Sequence, residues 1–179
     1  MRKIVAGLFI TLDGVIEAPE KWNPPYYDDE LSRAVMPLIE DAGTHLYGRR
    51  SYELFRAVFT SRAAPPHAAL MTAAPKVVVS TTLLDPGWGP TTLISGDVTA
   101  ELTRLKQRPG KDIAVGASGT LVRFLLQAGL LDELTLLVHP VVVGAGRRLF
   151  EGGGDPVPLT LLDSRRHGNG VVALRYAPG

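Results

Sequence analysis

The sequence predicts an α/β protein: a predominantly parallel central sheet flanked by helices, with an antiparallel hairpin at its C-terminal end. Three observations carry this. Short apolar runs of strand length (residues 3–10, 44–47, 76–79 and 113–115) alternate with stretches of helical periodicity, the order expected of βα units with strands covered on both faces. Glycine-bearing turns, GRRS at 48–51 and GASG at 116–119, stand where strands pass into helices. Near the C-terminus, residues 159–165 and 171–176 flank His167-Gly168-Asn169-Gly170, a hairpin signal.

The bulk numbers narrow the function. At 179 residues the chain reads as one domain, 1–179, able to bury a substantial core. A net charge of +1 provides no global field toward nucleic acid or an anionic membrane. The absence of cysteine excludes disulfides, thiol catalysis and cysteine-based zinc or iron–sulfur sites. His45, His67, His139 and His167 are scattered and form no HExxH pair, so no metal site is expected. No apolar run is long enough to span a bilayer, and the N-terminal segment lacks a small-residue cleavage site. The expectation is a cytoplasmic enzyme or binding protein acting on a small molecule.

In chain order, KIVAGLFI (3–10) is a buried strand that Thr11-Leu12-Asp13-Gly14 releases into a loop. Residues 17–27 (EAPEKWNPPYY) hold three prolines and three aromatics, a loop composition whose rings need cover; folding over a pocket or packing on the core would each supply it. Asp28-Asp29-Glu30 opens a helix to about Asp41, with Pro37 set to kink or restart it. THLY (44–47) is a strand leading through Gly48, Arg49, Arg50 and Ser51 into a helix through Phe59. Residues 61–74 read as a loop with one short helix, 76–79 as a strand leaving through Ser80-Thr81-Thr82, and 92–94 as a short strand. Asp97 caps a helix over 98–107.

The central stretch follows. Residues 113–115 form a strand, and Ser118 is placed as the N-cap of a helix that presents Leu121, Phe124, Leu125 and Ala128 on one face. Gly129 supplies its left-handed stop, and residues 134–143 form a long apolar strand that Gly144-Ala145-Gly146 breaks.

Three strand ends thus carry anion-friendly groups: Gly48 to Ser51, Ser80-Thr81-Thr82, and Gly116 to Thr120. Ligands of open α/β sheets bind outside the carboxyl ends of the strands, where helix N-termini offer N–H groups and a favourable dipole. Two arginines at a helix start oppose the dipole, and pairing with phosphate oxygens is a reason for them to be there. Together these favour a phosphorylated cofactor. Neither GxGxxG nor a P-loop is present. A serine-nucleophile reading of Ser118 fails because Thr120 stands where G-x-S-x-G needs glycine. A G-x-x-G nucleic-acid loop should join two helices, and this one follows a strand.

The order GLFITLDGVIEAPEKW, LYGRRSYELF, VVVST and IAVGASGTLVRFLLQAGLLDELTLLVHPVVVGAGRRLF resembles the dihydrofolate reductase superfamily over nearly the whole chain. It is most similar to the branch containing the reductase domain of the bifunctional riboflavin-biosynthesis deaminase–reductase. The resemblance implies a dihydrofolate-reductase-like fold and an NADPH-dependent oxidoreductase. It implies that Gly48, Arg49, Arg50 and Ser51 hold the pyrophosphate and 2′-phosphate, with Ser80 and Thr81 beside the adenosine. Gly116, Ala117, Ser118, Gly119, Thr120 and Leu121 would wrap the pyrophosphate and nicotinamide ribose, and Ala6, Gly7 and Ile16 would border the nicotinamide. Asp13 and Asp29 are the candidate proton donors, and Trp22, Tyr26 and Tyr27 the candidate cover for a flat heterocycle such as a riboflavin-pathway pyrimidine or a pterin. Homodimerisation through the 134–143 strand is also implied. The alternative is a non-catalytic nucleotide-binding protein of the same fold.

Overall fold

The computed structural model describes residues 1–179. Strands β1 (Ile4–Thr11), β2 (Thr44–Gly48), β3 (Lys76–Val79), β4 (Thr91–Ile94), β5 (Ile113–Gly116), β6 (Glu133–His139), β7 (Leu159–Arg166) and β8 (Val172–Pro178) form one sheet in the order β4-β3-β2-β5-β1-β6-β8-β7. All pairings from β4 across to β6 are parallel, and β8 runs antiparallel to both β6 and β7. The helices are α1 (Asp29–Glu40), α2 (Arg49–Phe59), α3 (Ala68–Ala73), α4 (Val98–Gln107) and α5 (Gly119–Gln127).

The unbroken apolar runs follow from burial on both sheet faces. On one face Ile4, Ala6, Leu8 and Ile10 of β1 join Leu46, Ile113 and Val115, and pack with Leu102 of α4 and Leu121, Val122 and Leu125 of α5. The alternate residues of the same strands, among them Val5, Gly7, Phe9, His45 and Tyr47, look the other way toward α1 and α2.

Several local expectations are met by identifiable contacts. Asp97 caps α4 as expected, accepting the Ala100 N–H at 3.0 Å, and α1 opens in the same way, Asp28 accepting the Leu31 N–H at 2.8 Å. Gly129 takes φ +63°, and the Gly129 and Leu130 N–H groups donate to Leu126 and Leu125 carbonyls, a Schellman closure.

Four expectations need correction. α1 runs as one helix from Asp29 to Glu40 with Pro37 inside it, so it does not restart there. β6 stops at His139 instead of Val143, because Pro140 has no N–H to extend the ladder. Both edges of the strand are paired within the chain, by β1 and β8. The buried stripe of α5 is Leu121, Val122, Leu125 and Leu126, while Phe124 is 38% exposed. Ser118 makes no side-chain cap to α5, because its hydroxyl is engaged elsewhere.

Candidate functional site

The Ser118 hydroxyl accepts the Gly48 N–H at 3.1 Å and donates to the Gly116 carbonyl at 3.0 Å. Ser51 Oγ donates in return to the Ala117 carbonyl at 3.3 Å. These bonds tie the β2–α2 junction to the β5–α5 junction, with Ala117 held at φ +48° between them. Two helix N-termini therefore stand side by side, and the first N–H groups of each lack partners in their own helix.

They open onto a cleft of about 540 Å³. Its lining includes Gly48, Arg49, Arg50 and Ser51 from one junction and Ala117 to Leu121 from the other, with Ile16, Val79 and Val98 as apolar wall. Five arginines reach it: Arg49, Arg50, Arg123, Arg147 and Arg148. Arg147 pairs with Glu17 at 2.9 Å, Arg148 with Asp13 at 3.7 Å, Arg123 with Glu151 at 3.9 Å and Arg49 with Glu53 at 3.5 Å. Arg50 has no ion-pair partner.

The loop after β1 closes one wall. Val15 bridges Arg148, the Ile16 N–H donates to the Arg147 carbonyl, and Ile16 seats on Gly119, where a Cβ would lie 2.2 Å from its Cδ1. Ile16 and Ala117 also line a second cavity of about 280 Å³, between the sheet and α1. That cavity is apolar: Val5, Gly7 and Phe9 form its floor, Val35, Met36, Leu38 and Ile39 its roof, and no charged residue lines it. His45 is 4% exposed, and burial together with the Lys76 charge pushes its imidazole down to about 4. Its ring stacks on Tyr47 at 6.2 Å, and burial raises the Tyr47 phenol. Lys76 itself is pushed down to about 8 by burial, with its ammonium on the Thr72 and Ala74 carbonyls and over the Trp88 ring.

The sequence-derived residues divide accordingly. Ile16, Gly48, Arg49, Arg50, Ser51, Ala117, Ser118, Gly119, Thr120 and Leu121 all line the cleft, whereas Gly7 and Gly116 line the apolar cavity. The Ala6 side chain packs into the opposite core. Ser80 and Thr81 follow β3 outside both linings, and Ser80 Oγ accepts from the Thr82 and Leu83 N–H groups.

Asp13 is held as an anchor. Its carboxylate accepts the Thr11 hydroxyl at 2.6 Å and the Gly144 N–H at 2.9 Å, and these bonds, the Thr11 one foremost, hold it below the usual carboxylate range. A carboxylate so stabilised is a poor proton donor. Asp29 is exposed in the first turn of α1 and lines neither cavity.

Of Trp22, Tyr26 and Tyr27, only Tyr27 faces the apolar cavity. Trp22 is buried edge-on against His139 with its N–H on the Glu17 carbonyl, and the Tyr26 hydroxyl points to the Pro140 carbonyl. The sequence reading missed Arg123, Arg147, Arg148, His45 and Tyr47. Signals for two of these sites existed: an Arg-Arg pair directly after Gly144-Ala145-Gly146, and a histidine inside an apolar strand.

Residues 2–173 match the family model of the RibD C-terminal domain. Bacillus subtilis YyaP, an uncharacterized protein, is 28% identical over 98% of this chain and 94% of its own length. Among solved structures, a Shewanella sp. PV-4 protein provisionally named for riboflavin biosynthesis superposes with a TM-score of 0.75 at 19% identity, covering 99% of both chains. The Thermotoga maritima diaminohydroxyphosphoribosylaminopyrimidine deaminase/5-amino-6-(5-phosphoribosylamino)uracil reductase superposes with a TM-score of 0.71 at 15% identity, over 99% of this chain and 57% of that one. At these identities the structures establish the shared fold.

Proposed function

The chain belongs to the RibD C-terminal domain family, and from that membership and the geometry of its two cavities we propose an NADPH-dependent reductase that passes a hydride to a small heterocyclic substrate. The observation that carries the proposal is the juxtaposition at Ile16 and Ala117. An arginine-rimmed cleft with two helix N-termini meets an apolar cavity there.

The cleft fits a dinucleotide phosphate on its own chemistry. Paired N-termini favour a pyrophosphate, and Gly119, by carrying no side chain, lets Ile16 seat directly against the second of them. Arg50, the one cleft arginine without a carboxylate partner, is suited to a 2′-phosphate, with Arg49 beside it. When bound, NADPH supplies the hydride. The chain's residues would do the remainder: Ile16 and Ala117 set the boundary at which the two ligands meet, α1 and the sheet exclude water from the acceptor, and the N-terminal N–H groups fix the anionic end.

One observation favours the alternative of a non-catalytic nucleotide-binding protein: neither Asp13 nor Asp29 presents an acid to the apolar cavity. Water or a neutral donor would then have to deliver the proton for a reductase. Homodimerisation and a cytoplasmic setting belong to the same proposal; no helix is long and apolar enough to cross a membrane, and the exposed β7 edge carries Leu161 and Leu162.

The test is a fluorescence titration with NADPH and NADH. Saturable binding that prefers NADPH supports the assignment, and binding of neither nucleotide contradicts it.

A further inference from the structure

Resting on the reductase reading, we infer that the hydride acceptor is a small, uncharged, largely apolar ring compound with a carbonyl group. It sits under α1, its oxygen meeting His45 and Tyr47, and phosphorylated or carboxylated substrates are shut out.

Charge is the first argument. Of the 22 residues lining the cavity, 17 are hydrophobic and none is Lys, Arg, Asp or Glu. All the arginines near the site lie in the cleft, on the far side of Ile16. Lys76 is aligned with His45 across the β2–β3 pair, yet its ammonium is turned to the Thr72 and Ala74 carbonyls and the Trp88 ring. A phosphate or carboxylate entering this cavity would lose its hydration and gain no cation.

The polar groups of the sheet wall are the second, His67 and Tyr27 being the other polar side chains of the lining. His45 is more than nine-tenths buried and lines the cavity, and neither of its ring nitrogens has a hydrogen-bond partner in the chain. Tyr47, stacked on it, lines the same wall, and its hydroxyl is likewise unpartnered. These polar atoms open onto the cavity and are not sealed away from it, unlike the ring nitrogens of His167, so a ligand there can bond them. Both groups are neutral donors at physiological pH, suited to a carbonyl oxygen. The Tyr47 ring also adjoins Gly116, one residue before the Ala117 boundary.

Size is the third. A volume of about 280 Å³ is at the small end of ligand pockets, enough for one or two fused rings.

In the reaction the carbonyl carbon would gain a hydride, and the C=O π pair would move to oxygen. Oxygen would take a proton relayed from solvent through Tyr47 or His45, with oxidation of NADPH to NADP⁺ balancing the two electrons.

Two readouts separate this inference from the reading it rests on. Saturation-transfer NMR on the protein without cofactor would compare 4-chromanone and tetrahydropyran-4-one, both uncharged heterocyclic ketones, with dihydrofolate and a phosphoribosylaminopyrimidine. NADPH oxidation would then be followed with the same compounds in the intact protein, His45→Phe and Tyr47→Phe, the second shape-preserving. The expected result is transfer to the uncharged ketones alone, with turnover falling about tenfold or more in at least one variant while NADPH affinity stays within about twofold. Transfer to the charged compounds in preference, no transfer to any uncharged ring, or unchanged turnover in both variants would overturn the inference. Ketone binding without NADPH binding would sink the reductase reading and leave the cavity's selectivity standing.

Discussion

Ser118 Oγ and the Gly48 N–H lie 3.1 Å apart across the mouth of the cleft, joining residues 70 positions apart in the chain. That bond holds two helix N-termini at one site. Ser118→Ala removes a buried hydroxyl that both accepts and donates, so chemical denaturation should show a loss of about 1–3 kcal/mol. NADPH affinity should fall as well, because the two sets of N–H groups are no longer held together. An unchanged affinity would mean the junctions are positioned by the sheet alone.

Arg50 has no carboxylate partner, whereas Arg49 shares its charge with Glu53. Arg50→Ala should therefore cost NADPH about tenfold in affinity and NADH little, with stability within about 0.5 kcal/mol of the parent. Arg49→Ala should have the smaller effect of the two. Titration of both variants with both nucleotides checks the order.

Gly119→Ala places a methyl 2.2 Å from Ile16 Cδ1. Ile16 must move off the junction, costing about 1–3 kcal/mol as overpacking does and disturbing the wall common to both cavities. Thermal unfolding and NADPH titration should report both effects. Retained stability with retained affinity would show that Ile16 relocates freely.

His45 makes stability depend on pH with a definite sign. Its folded imidazole titrates near 4 against an ordinary 6.5, so between those values the unfolded chain holds the extra proton. The contribution is fully present above pH 6.5 and is lost as pH falls toward 4, on the order of 3 kcal/mol in all. His139 is also lowered by burial and adds to the wild-type slope, so the diagnostic quantity is the difference between wild type and His45→Phe. That difference should change across this window and stay constant above it.

The strands and the two strand-to-helix junctions that meet at the cleft were legible in the sequence because each has a local cause. Apolar runs mark β1 and β3, Asp28 marks the start of α1, and Gly48 and Gly116 mark the ends of β2 and β5. What escaped depends on tertiary partners. LVRFLLQ is apolar on several sides, so period alone could not choose between Phe124 and Val122 as the inward residue. Ser118 looks like a cap until Gly48 arrives from another junction. Asp13 looks like a free acid until the Gly144 N–H and Arg148 reach it from more than 130 residues away. The apolar cavity was the hardest part to foresee, since His45 and Tyr47 read as strand residues and only the placement of α1 turns their face into a chamber.

In the proposed complex a dinucleotide lies in the cleft with its nicotinamide at Ile16, where the cleft meets the apolar cavity. The most direct measurement is methyl NMR on protein labelled at the isoleucine δ1 positions, recorded with and without NADP⁺. The account predicts a large shift of the Ile16 methyl and nuclear Overhauser contacts from it to the nicotinamide ring protons, with the core methyls of Ile4 and Ile113 unmoved. Saturating NADP⁺ that leaves Ile16 unshifted, or contacts from Ile16 to the adenine protons instead, would contradict it.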